Sequence, residues 1–478
     1  MWSKYITRRL AVQVAQSWNF AWGEAMRQVY GVSVQDTLVF RDQRKTEYYV
    51  DDKQYQRYIR ELYRLLSRPD FVKNFHRQAE SKLASILKNV QRRFDLDFGG
   101  LSNAELLSLY RDFTLPQVEQ FYIRMWTVFN IAEPLTAVVR AELVDRLKDE
   151  RCVDEFLLKL ASPLRPNDVL HKQIDILSLA ARRRSLSARQ LAAGIMKLVA
   201  KYRHIPMFDF DHEPYGRDHF RQELQSVKRP AQKLLAIKRL LASHRREAAA
   251  IIKILKPDRK LRQLLKFLQD NVFLRDHRDM LRQKLNLELQ KLYQEIADRL
   301  GLKLEQVATL TNQEIIYHLK TVKHFPRVEA VRRGRAYLLV QKGRRAQIYS
   351  GRQALAKFRQ ELAPNRQTAS RELRGIAASP GRATGPARVI YTNRDLSKVR
   401  TGDILVAAMT RQDFVPAMGR AKAIIIDEGG IICHAAIIAR ELHKPCVVAL
   451  KTATHFIQDG DRVEVDADRG IVKILSHI

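Results

Sequence analysis

The sequence predicts a multidomain α + α/β protein, in which a large, mostly helical and basic N-terminal region precedes a compact mixed α/β domain. Apolar residues recur at three- and four-residue spacing over roughly the first 320 residues, as in amphipathic helices. In the last hundred residues, runs rich in Val and Ile alternate with short helical segments. A chain of 478 residues is long enough for two or three such domains.

The helical pattern is concentrated in two clusters, from which we predict a helical region over 1–230 and a second one over 231–362. Ser102 followed by Glu105 is typical of a capping box, and Gly301 predicts the C-terminal end of a helix. The periodic segments are 54–69, 81–94 and 104–113 in the first cluster, and 231–255, 261–268 and 279–302 in the second.

A loop is predicted at 204–220, where two prolines, a glycine and aromatic residues alternating with acids interrupt the helical period. Its acidic and imidazole side chains allow two interpretations, a metal site or a helix-capping loop packed by its aromatic residues. The residues concerned are Asp209, Asp211, His212 and Glu213.

The period changes after about residue 325. Segments 336–341 and 345–351, separated by Lys342-Gly343, predict a β-hairpin, and a short helix over 354–362 follows. The polar, proline-containing stretch 363–373 is the predicted linker. Residues 374–478 form the predicted C-terminal domain, with strands at 387–391, 403–408, 423–427, 446–450, 462–467 and 471–475.

The net charge of +33 is large and uneven. Residues 371–478 contain 16 Lys and Arg against 12 Asp and Glu, so about +29 lies in the first 370 residues. Such a charge attracts polyanions, or it is only a solvated surface. No apolar run is long enough for a transmembrane helix, no secretory signal is recognised, and three cysteines are too few for a disulfide framework or a zinc site. We therefore expect a cytoplasmic protein without membrane contact. Of the two interpretations of the loop at 204–220, we expect the one without a metal site.

The segment DEGGIICHAAIIARELHKPCVVAL (427–450) predicts a strand, a glycine turn and a helix that begins near His434. Free backbone N–H groups at a helix N-terminus favour an anion and disfavour a charged imidazole. A neutral imidazole there can attack phosphorus and form phosphohistidine. Two alternatives remain open: a buried histidine that only caps the helix, and Cys433 as the nucleophile.

This segment closely resembles the swivelling phosphohistidine domain of phosphoenolpyruvate-utilising enzymes, such as phosphoenolpyruvate synthase, pyruvate phosphate dikinase and rifampicin phosphotransferase. Three further motifs are similar to that domain, in the same order: 375–390, 402–418 and 459–475. The resemblance implies a compact β/β/α domain. Upstream, segments 274–302, 310–319 and 332–351 resemble the helical middle part of the same enzymes more loosely.

The resemblance also implies roles for individual residues. The phosphorylated histidine of the family corresponds to His434. From the glycine turn and the helix start, we expect the phosphate site to consist of Gly429, Gly430, Cys433, Ala435, Ala436 and Arg440. Arg440 has Glu441 as an alternative partner, and Asp427 and Glu428 either orient the imidazole or cap the turn. The sequence departs from the family at Ile432, where a threonine is usual, so a hydroxyl near the histidine is missing.

Neither an ATP-grasp pattern nor a P-loop is found in the first 370 residues, and no phosphoenolpyruvate-binding barrel follows the C-terminal domain. We therefore expect no cofactor bound by this chain, with ATP and Mg on a separate ATP-grasp subunit. His434 would take a phosphoryl group from that subunit, and movement about 363–373 would carry it to a small-molecule or phosphorylated acceptor.

Two other functions remain open. One is a non-catalytic protein that binds RNA or another polyanion through its basic helical region and retains the C-terminal domain as a scaffold. The other is a small-molecule kinase without its own ATP domain, whose acceptor pocket is lined by aromatic residues. The candidate lining residues, which are more often plain core, are Trp18, Phe20, Trp22, Tyr122, Trp126 and Phe129.

Overall fold

The structure is a computed structural model that describes all residues except 8–9, 43–44, 344, 363–371, 392, 411–413, 431–432 and 478. The chain forms two compact units. Unit 1 contains residues 1–9, 34–55 and 332–478, and unit 2 contains residues 10–33 and 56–331. The predicted boundary at 230 lies inside unit 2 and the one at 362 inside unit 1. The predicted division into domains stays a prediction.

The strands are β1 Trp2–Thr7, β2 Thr37–Arg41, β3 Thr46–Asp51, β4 Tyr337–Lys342, β5 Arg345–Ser350, β6 Glu372–Arg374, β7 Ile376–Ser379, β8 Arg382–Ile390, β9 Ile404–Ala407, β10 Ala423–Ile426, β11 Cys446–Val448, β12 Arg462–Asp466 and β13 Ile471–Ser476. The helices are α1 Val12–Phe20, α2 Met26–Tyr30, α3 Asp52–Leu66, α4 Pro69–Arg93, α5 Asn103–Ser108, α6 Leu115–Asn130, α7 Ala132–Leu147, α8 Glu150–Leu160, α9 Asp168–Arg182, α10 Ala188–Tyr202, α11 Arg217–Ser226, α12 Pro230–Leu255, α13 Arg259–Leu300, α14 Leu304–Val307, α15 Asn312–Thr321, α16 Arg327–Arg335, α17 Gly351–Leu362, α18 Val415–Arg420, α19 His434–Glu441 and α20 Ala453–Phe456. The predicted combination of a helical N-terminal region and a β-rich C-terminal region is confirmed.

Unit 1 contains a five-stranded antiparallel sheet with the strand order β1-β3-β2-β4-β5. The predicted hairpin is confirmed as β4 and β5. Strands β1 to β3 correct the expectation of a helical texture over the first 230 residues. Because they are short and rich in Thr, Val and aromatic residues, they are stable only as partners in a sheet.

Helix α17 covers one face of this small sheet. Leu38 and Phe40 of β2 and Leu338 of β4 share a core with Phe358 of α17. The Phe40 and Phe358 rings stack with their centroids 3.8 Å apart. The predicted short helix at 354–362 is thus present, and it begins three residues earlier than expected.

The C-terminal part of unit 1 is built on an eight-stranded sheet with the order β6-β13-β12-β8-β9-β10-β11-β7. Strands β8 to β11 are parallel, and the flanking pairs are antiparallel. All six predicted strands are present, and their ends shift by at most two residues except that β8 begins five residues earlier than predicted. The last two residues of the predicted linker belong to β6, and its residues 363–371 lie outside the described part of the chain.

Successive side chains of each strand point to opposite faces of this sheet, and both faces are apolar. Ile404 and Val406 of β9 belong to one core, whereas Leu405 and Ala407 belong to the other. The second core also contains Ala435, Ala436 and Ala439 of α19. Small residues on one side of α19 let its backbone lie close to the sheet, which positions the start of the helix.

Unit 2 is helical, with π-helical turns at Ala21–Ala25 and Leu109–Thr114. The predicted capping box is confirmed: Glu105 N donates to Ser102 Oγ at 3.2 Å, and Ser102 N donates to Glu105 Oε2 at 2.8 Å. Gly301, with φ of 66°, ends α13 as predicted. The two predicted segments 261–268 and 279–302 belong to this single helix of 42 residues, because no breaker separates them.

The aromatic cluster proposed as an acceptor pocket is core instead. The Trp18 and Trp126 rings meet edge to face at 4.3 Å, and Trp22 packs against Trp126 at 6.0 Å. Trp18, Trp22 and Trp126 are buried, as is Tyr122. Phe20 is 39% exposed, so the six aromatic residues do not line one enclosed pocket together. Among the helices described, none is sufficiently long and apolar to cross a membrane.

Candidate functional site

The candidate site lies between β10 and α19, where the chain turns from a strand into a helix. Gly429 adopts φ of 98°, and a Cβ added there would lie 2.7 Å from Cys433 Cβ. Only glycine therefore allows the loop to pass this close to the start of α19. A Cβ added at Gly430 would meet nothing within 4 Å.

His434 is the first residue of α19, as predicted. Its ring is half-buried, and Nδ1 lies 2.9 Å from the hydroxyl oxygen of Thr410. Desolvation lowers the pKa of the His434 imidazole to about 4, so the ring is neutral at pH 7. The structure therefore presents a neutral imidazole with one ring nitrogen already occupied.

Thr410 was not singled out by the sequence reasoning, although it lies within the recognised motif at 402–418. Ile432, where the family has a threonine, lies outside the described residues. The hydroxyl that seemed to be missing from the sequence next to the histidine is nevertheless present, because Thr410 follows β9 in the same sheet. The pairing of β9 with β10 brings the two loops together.

The first turn of α19 offers backbone donors. Cys433 is the N-cap residue, with extended backbone at φ of −71° and ψ of 164°, and its side chain makes no capping hydrogen bond. Ile437 N donates to Cys433 O at 3.0 Å, so the amides of His434, Ala435 and Ala436 precede the first intrahelical bond. These amides are the part of the predicted phosphate site best placed to hold an anion.

Arg440 lies in the last turn of α19, roughly 9 Å along the helix axis from His434. Its Nη1 donates to the carbonyl oxygen of Ala378 in β7 at 2.8 Å. Burial lowers the pKa of the Arg440 guanidinium. In this structure Arg440 ties α19 to an edge strand of the sheet, and its assignment to the phosphate site stays a prediction.

The two carboxylates before the glycine turn bind elements other than the imidazole. Asp427 is buried and accepts hydrogen bonds from Ala453 N and from Thr454 N at 3.2 Å, which caps α20. Glu428 Oε1 accepts a 2.7 Å hydrogen bond from Thr7 N of β1. Of the two roles considered for this pair, these bonds support capping of the local structure.

A polar cluster around the buried Glu47 connects the small sheet with the eight-stranded sheet inside unit 1. The Glu47 carboxylate of β3 accepts hydrogen bonds from His455 Nε2 at 2.8 Å, Lys45 Nζ at 2.9 Å and Tyr49 OH at 3.1 Å. Lys4 Nζ lies 3.5 Å from Asp427 Oδ2. Sequence reasoning missed this cluster because the Glu47–His455 pair is separated by 408 residues.

The predicted loop at 204–220 is present between α10 and α11 as far as residue 216, and its last four residues belong to α11. The carboxylate of Asp209 is buried and accepts from Ala11 N at 2.6 Å and from Phe210 N at 2.9 Å. His212 Nδ1 lies 3.0 Å from the carbonyl oxygen of Pro206. These contacts fit the capping interpretation, and within the described residues no three His, Cys, Asp or Glu side chains are grouped as metal ligands.

The comparison with known families agrees with the strand–turn–helix geometry around His434. Residues 399–470 match the mobile domain of PEP-utilising enzymes. The matched segment includes Thr410, the glycine turn and α19. The C-terminal part of the chain is therefore similar to a phosphoenolpyruvate synthase-like phosphohistidine domain, as the sequence motifs indicated.

Relatives match over a similarly short part of the chain. A probable phosphoenolpyruvate synthase of Archaeoglobus fulgidus is 55% identical over 100 residues, which is 21% of this chain and 13% of the relative. An uncharacterised phosphotransferase of Bacillus subtilis is 46% identical over 102 residues, or 21% of this chain and 12% of the relative. The chain thus matches about an eighth of the length of these proteins. The matches support a phosphotransfer-type domain.

A solution structure of Enzyme I is similar to part of this chain, with 30% sequence identity. The match covers 17% of this chain and 34% of the Enzyme I chain. Its TM-score is 0.16, so no argument is drawn from that likeness.

Proposed function

We propose that this protein is a phosphotransfer protein whose C-terminal domain carries a phosphoryl group on Nε2 of His434. The observation that carries the proposal is the hydrogen bond between Thr410 Oγ1 and His434 Nδ1 at the start of α19. It occupies one ring nitrogen and leaves the other for chemistry.

The direction of that hydrogen bond sets the nucleophile. In the productive tautomer, Nδ1–H donates to Thr410 Oγ1, and Nε2 keeps its lone pair. Nε2 attacks the phosphorus of the donor, the P–N bond forms, and the P–O bond to the leaving group breaks with its electron pair going to the leaving oxygen. The proton stays on Nδ1, and the threonine oxygen continues to accept its hydrogen bond.

The surroundings of the ring favour both steps of phosphoryl transfer, the phosphorylation of His434 and the passage of the group to an acceptor. Since desolvation lowers the pKa of His434 to about 4, almost all of the imidazole is neutral and nucleophilic at pH 7. The backbone amides of Ala435 and Ala436, together with the turn at Gly429 and Gly430, would hold the phosphoryl oxygens. A P–N bond is labile, so the same group is readily passed to an acceptor.

The donor and the acceptor are expected outside the C-terminal domain. An ATP-grasp protein that binds ATP and Mg is the proposed donor, and a small molecule or phosphorylated compound is the proposed acceptor.

Radiolabelled ATP, supplied with ATP-grasp proteins from the same cells, tests the proposal. We expect one acid-labile, alkali-stable phosphoryl group per chain, and its loss in His434→Ala. The matched control is His443→Asn, because His443 is exposed and adopts φ of 51°, a conformation that asparagine tolerates. Label that persists in His434→Ala, or that disappears in His443→Asn alone, contradicts the proposal.

The same assay separates His434 from Cys433, the other candidate nucleophile. Cys433→Ser retains a side chain of similar size but removes the thiol. If His434 carries the phosphoryl group, Cys433→Ser keeps an acid-labile label. Loss of the label in Cys433→Ser, with the label kept in His434→Ala, would assign the chemistry to the thiol.

A further inference from the structure

Two stretches of unit 2 contain basic residues and no acidic ones. Residues 176–208 include seven Lys and Arg without an Asp or Glu, and residues 224–246 include another seven. Nine of these fourteen side chains are arginines. The phosphotransfer proposal assigns no role to either stretch.

The fold brings the two stretches together. Helix α12 packs against α9, and near the middle of α12 His244 Nδ1 lies 3.2 Å from Pro163 O, while Arg245 Nε donates to Leu164 O at 2.9 Å. Pro163 and Leu164 precede α9, whereas Val227, three residues before α12, packs in the same core as Leu179 and Leu186 at or just after the end of α9. Helix α12 therefore runs antiparallel to α9, and the start of α12, roughly 22 Å from Arg245, lies beside the end of α9.

The charged side chains at this end are available to a partner. Arg182 ends α9, Arg183 and Arg184 lie in the exposed turn after it, and Lys233 and Arg239 are exposed on α12. None of these five makes an ion pair with another residue that the structure describes. We call these five residues the basic face.

We propose that the basic face binds duplex nucleic acid through its backbone phosphates, without reading the base sequence. Arginine is suited to this role because its planar guanidinium binds phosphate oxygens with two parallel hydrogen bonds. The binding energy would come mainly from release of counterions from the duplex.

Other polyanions fit the basic face less well. Single-stranded nucleic acid is usually held by exposed aromatic rings, and the two stretches contain only Tyr202 and Phe208, neither of which is exposed. A membrane-surface helix needs one continuous apolar face. The exposed Leu235 and Leu240 of α12 are five residues apart, which places them about 140° apart around the helix.

Binding of a fluorescent 20-base-pair RNA duplex and a DNA duplex, followed by anisotropy over a range of salt concentrations, tests the inference. The variant carries Arg182→Gln, Arg183→Gln and Arg184→Gln. We expect a loss of affinity of at least tenfold at low salt, and a slope of log K against log salt that is smaller by about 3 in magnitude. Two different duplex sequences should bind equally well.

The matched control removes the same charge from another exposed helix. It carries Lys88→Gln, Arg92→Gln and Arg93→Gln in α4, all of which are exposed. Equal losses in the two triple variants would overturn the inference, as would no duplex binding by the wild-type chain at low salt. Tighter binding to a single strand, or to vesicles with phosphatidylserine, would overturn it in favour of those ligands. Since His434→Ala should leave duplex binding unchanged, failure here is distinguishable from failure of the phosphotransfer proposal.

Discussion

Thr410 Oγ1 lies 2.9 Å from His434 Nδ1, and this hydrogen bond joins the loop after β9 to the first residue of α19. The bond orients the imidazole, and its direction decides which ring nitrogen keeps a lone pair, because only one ring nitrogen of a neutral histidine carries a proton. The turn at Gly429 brings the start of the helix to this hydroxyl.

Thr410→Val should slow phosphorylation of His434 by roughly ten- to a hundredfold, because a ring N–H left without its partner costs about 1–3 kcal/mol. Thr410→Ser, which retains the hydroxyl, should recover most of the rate. The nitrogen chemical shifts of the imidazole provide a second measurement that needs no phosphoryl donor. In the wild-type protein Nε2 should be the nitrogen without hydrogen, and an unchanged tautomer in Thr410→Val would argue against an orienting role.

Gly429→Ala should destabilise unit 1, whereas Gly430→Ala should be close to neutral. A side chain at Gly429 combines a left-handed φ of 98° with a 2.7 Å approach to Cys433 Cβ. Strain of this kind costs about 1–3 kcal/mol. Gly430 has open space around it and serves as the control. Urea unfolding of both variants measures the difference, and equal stabilities would show that the loop relaxes without moving α19.

Glu428→Gln should change how stability depends on pH. Burial raises the pKa of the Glu428 carboxyl to about 8, although the charge of Lys4 lowers it. The unfolded carboxyl has a pKa of about 4.3, so the folded state holds a proton that the unfolded state releases between these values. The free energy of unfolding of the wild-type protein therefore falls as the pH rises from about 5 to 8.

The neutral glutamine still accepts the hydrogen bond from Thr7 N and has no proton to lose. We expect Glu428→Gln to match the wild-type protein near pH 5 and to exceed its stability near pH 8.5. Urea unfolding at several pH values measures this, with Glu464→Gln in β12 as the control. Parallel pH curves for Glu428→Gln and the wild-type protein would contradict the prediction.

Glu47→Gln should cost about 2–4 kcal/mol, because it removes the charge from a buried carboxylate that has Lys45 and His455 as partners. Burial by itself would raise the pKa of Glu47, but the hydrogen bond from His455 and the charge of Lys45 outweigh it and hold the pKa well below its usual range. The stabilisation is therefore present above about pH 4.3 and is lost as the pH falls.

The comparison is Glu61→Gln, which breaks the surface pair between Glu61 and Arg64 of α3. Such exposed pairs contribute at most about 1 kcal/mol. Unfolding free energies of the two variants at pH 7 measure the contrast. A loss in Glu47→Gln no larger than that in Glu61→Gln would contradict the prediction, since the ion pairs of Glu47 would then contribute no more stability than an exposed pair.

Much of the secondary structure followed from local patterns. The box of Ser102 and Glu105, the helix end at Gly301 and the helix start at His434 were predicted at their observed residues. The strands of the C-terminal domain were predicted because runs of Val and Ile between glycines are typical of a buried sheet. Such signals depend on neighbours within a few residues, so the linear order already contains them.

The remaining features depended on residues that are distant in the chain. Strands β1 to β3 pair into one sheet with β4 and β5 across nearly 300 residues, and their short sequences resemble strands only weakly when isolated. The histidine and the glycine turn of the candidate site were predicted, whereas Thr410 was not. No local pattern indicates which of the chain's hydroxyls will face an imidazole 24 residues away.

The amino-acid sequence by itself determined that a glycine turn and a helix would present His434, and that positive charge would concentrate outside the C-terminal domain. Only the tertiary structure decided that Thr410 occupies Nδ1, that Asp427 and Glu428 bind α20 and β1, and that two acid-free stretches meet at one face. The physical reason is range: backbone preferences and apolar periodicity act over a few residues, whereas hydrogen bonds between distant side chains exist only once packing has brought them together.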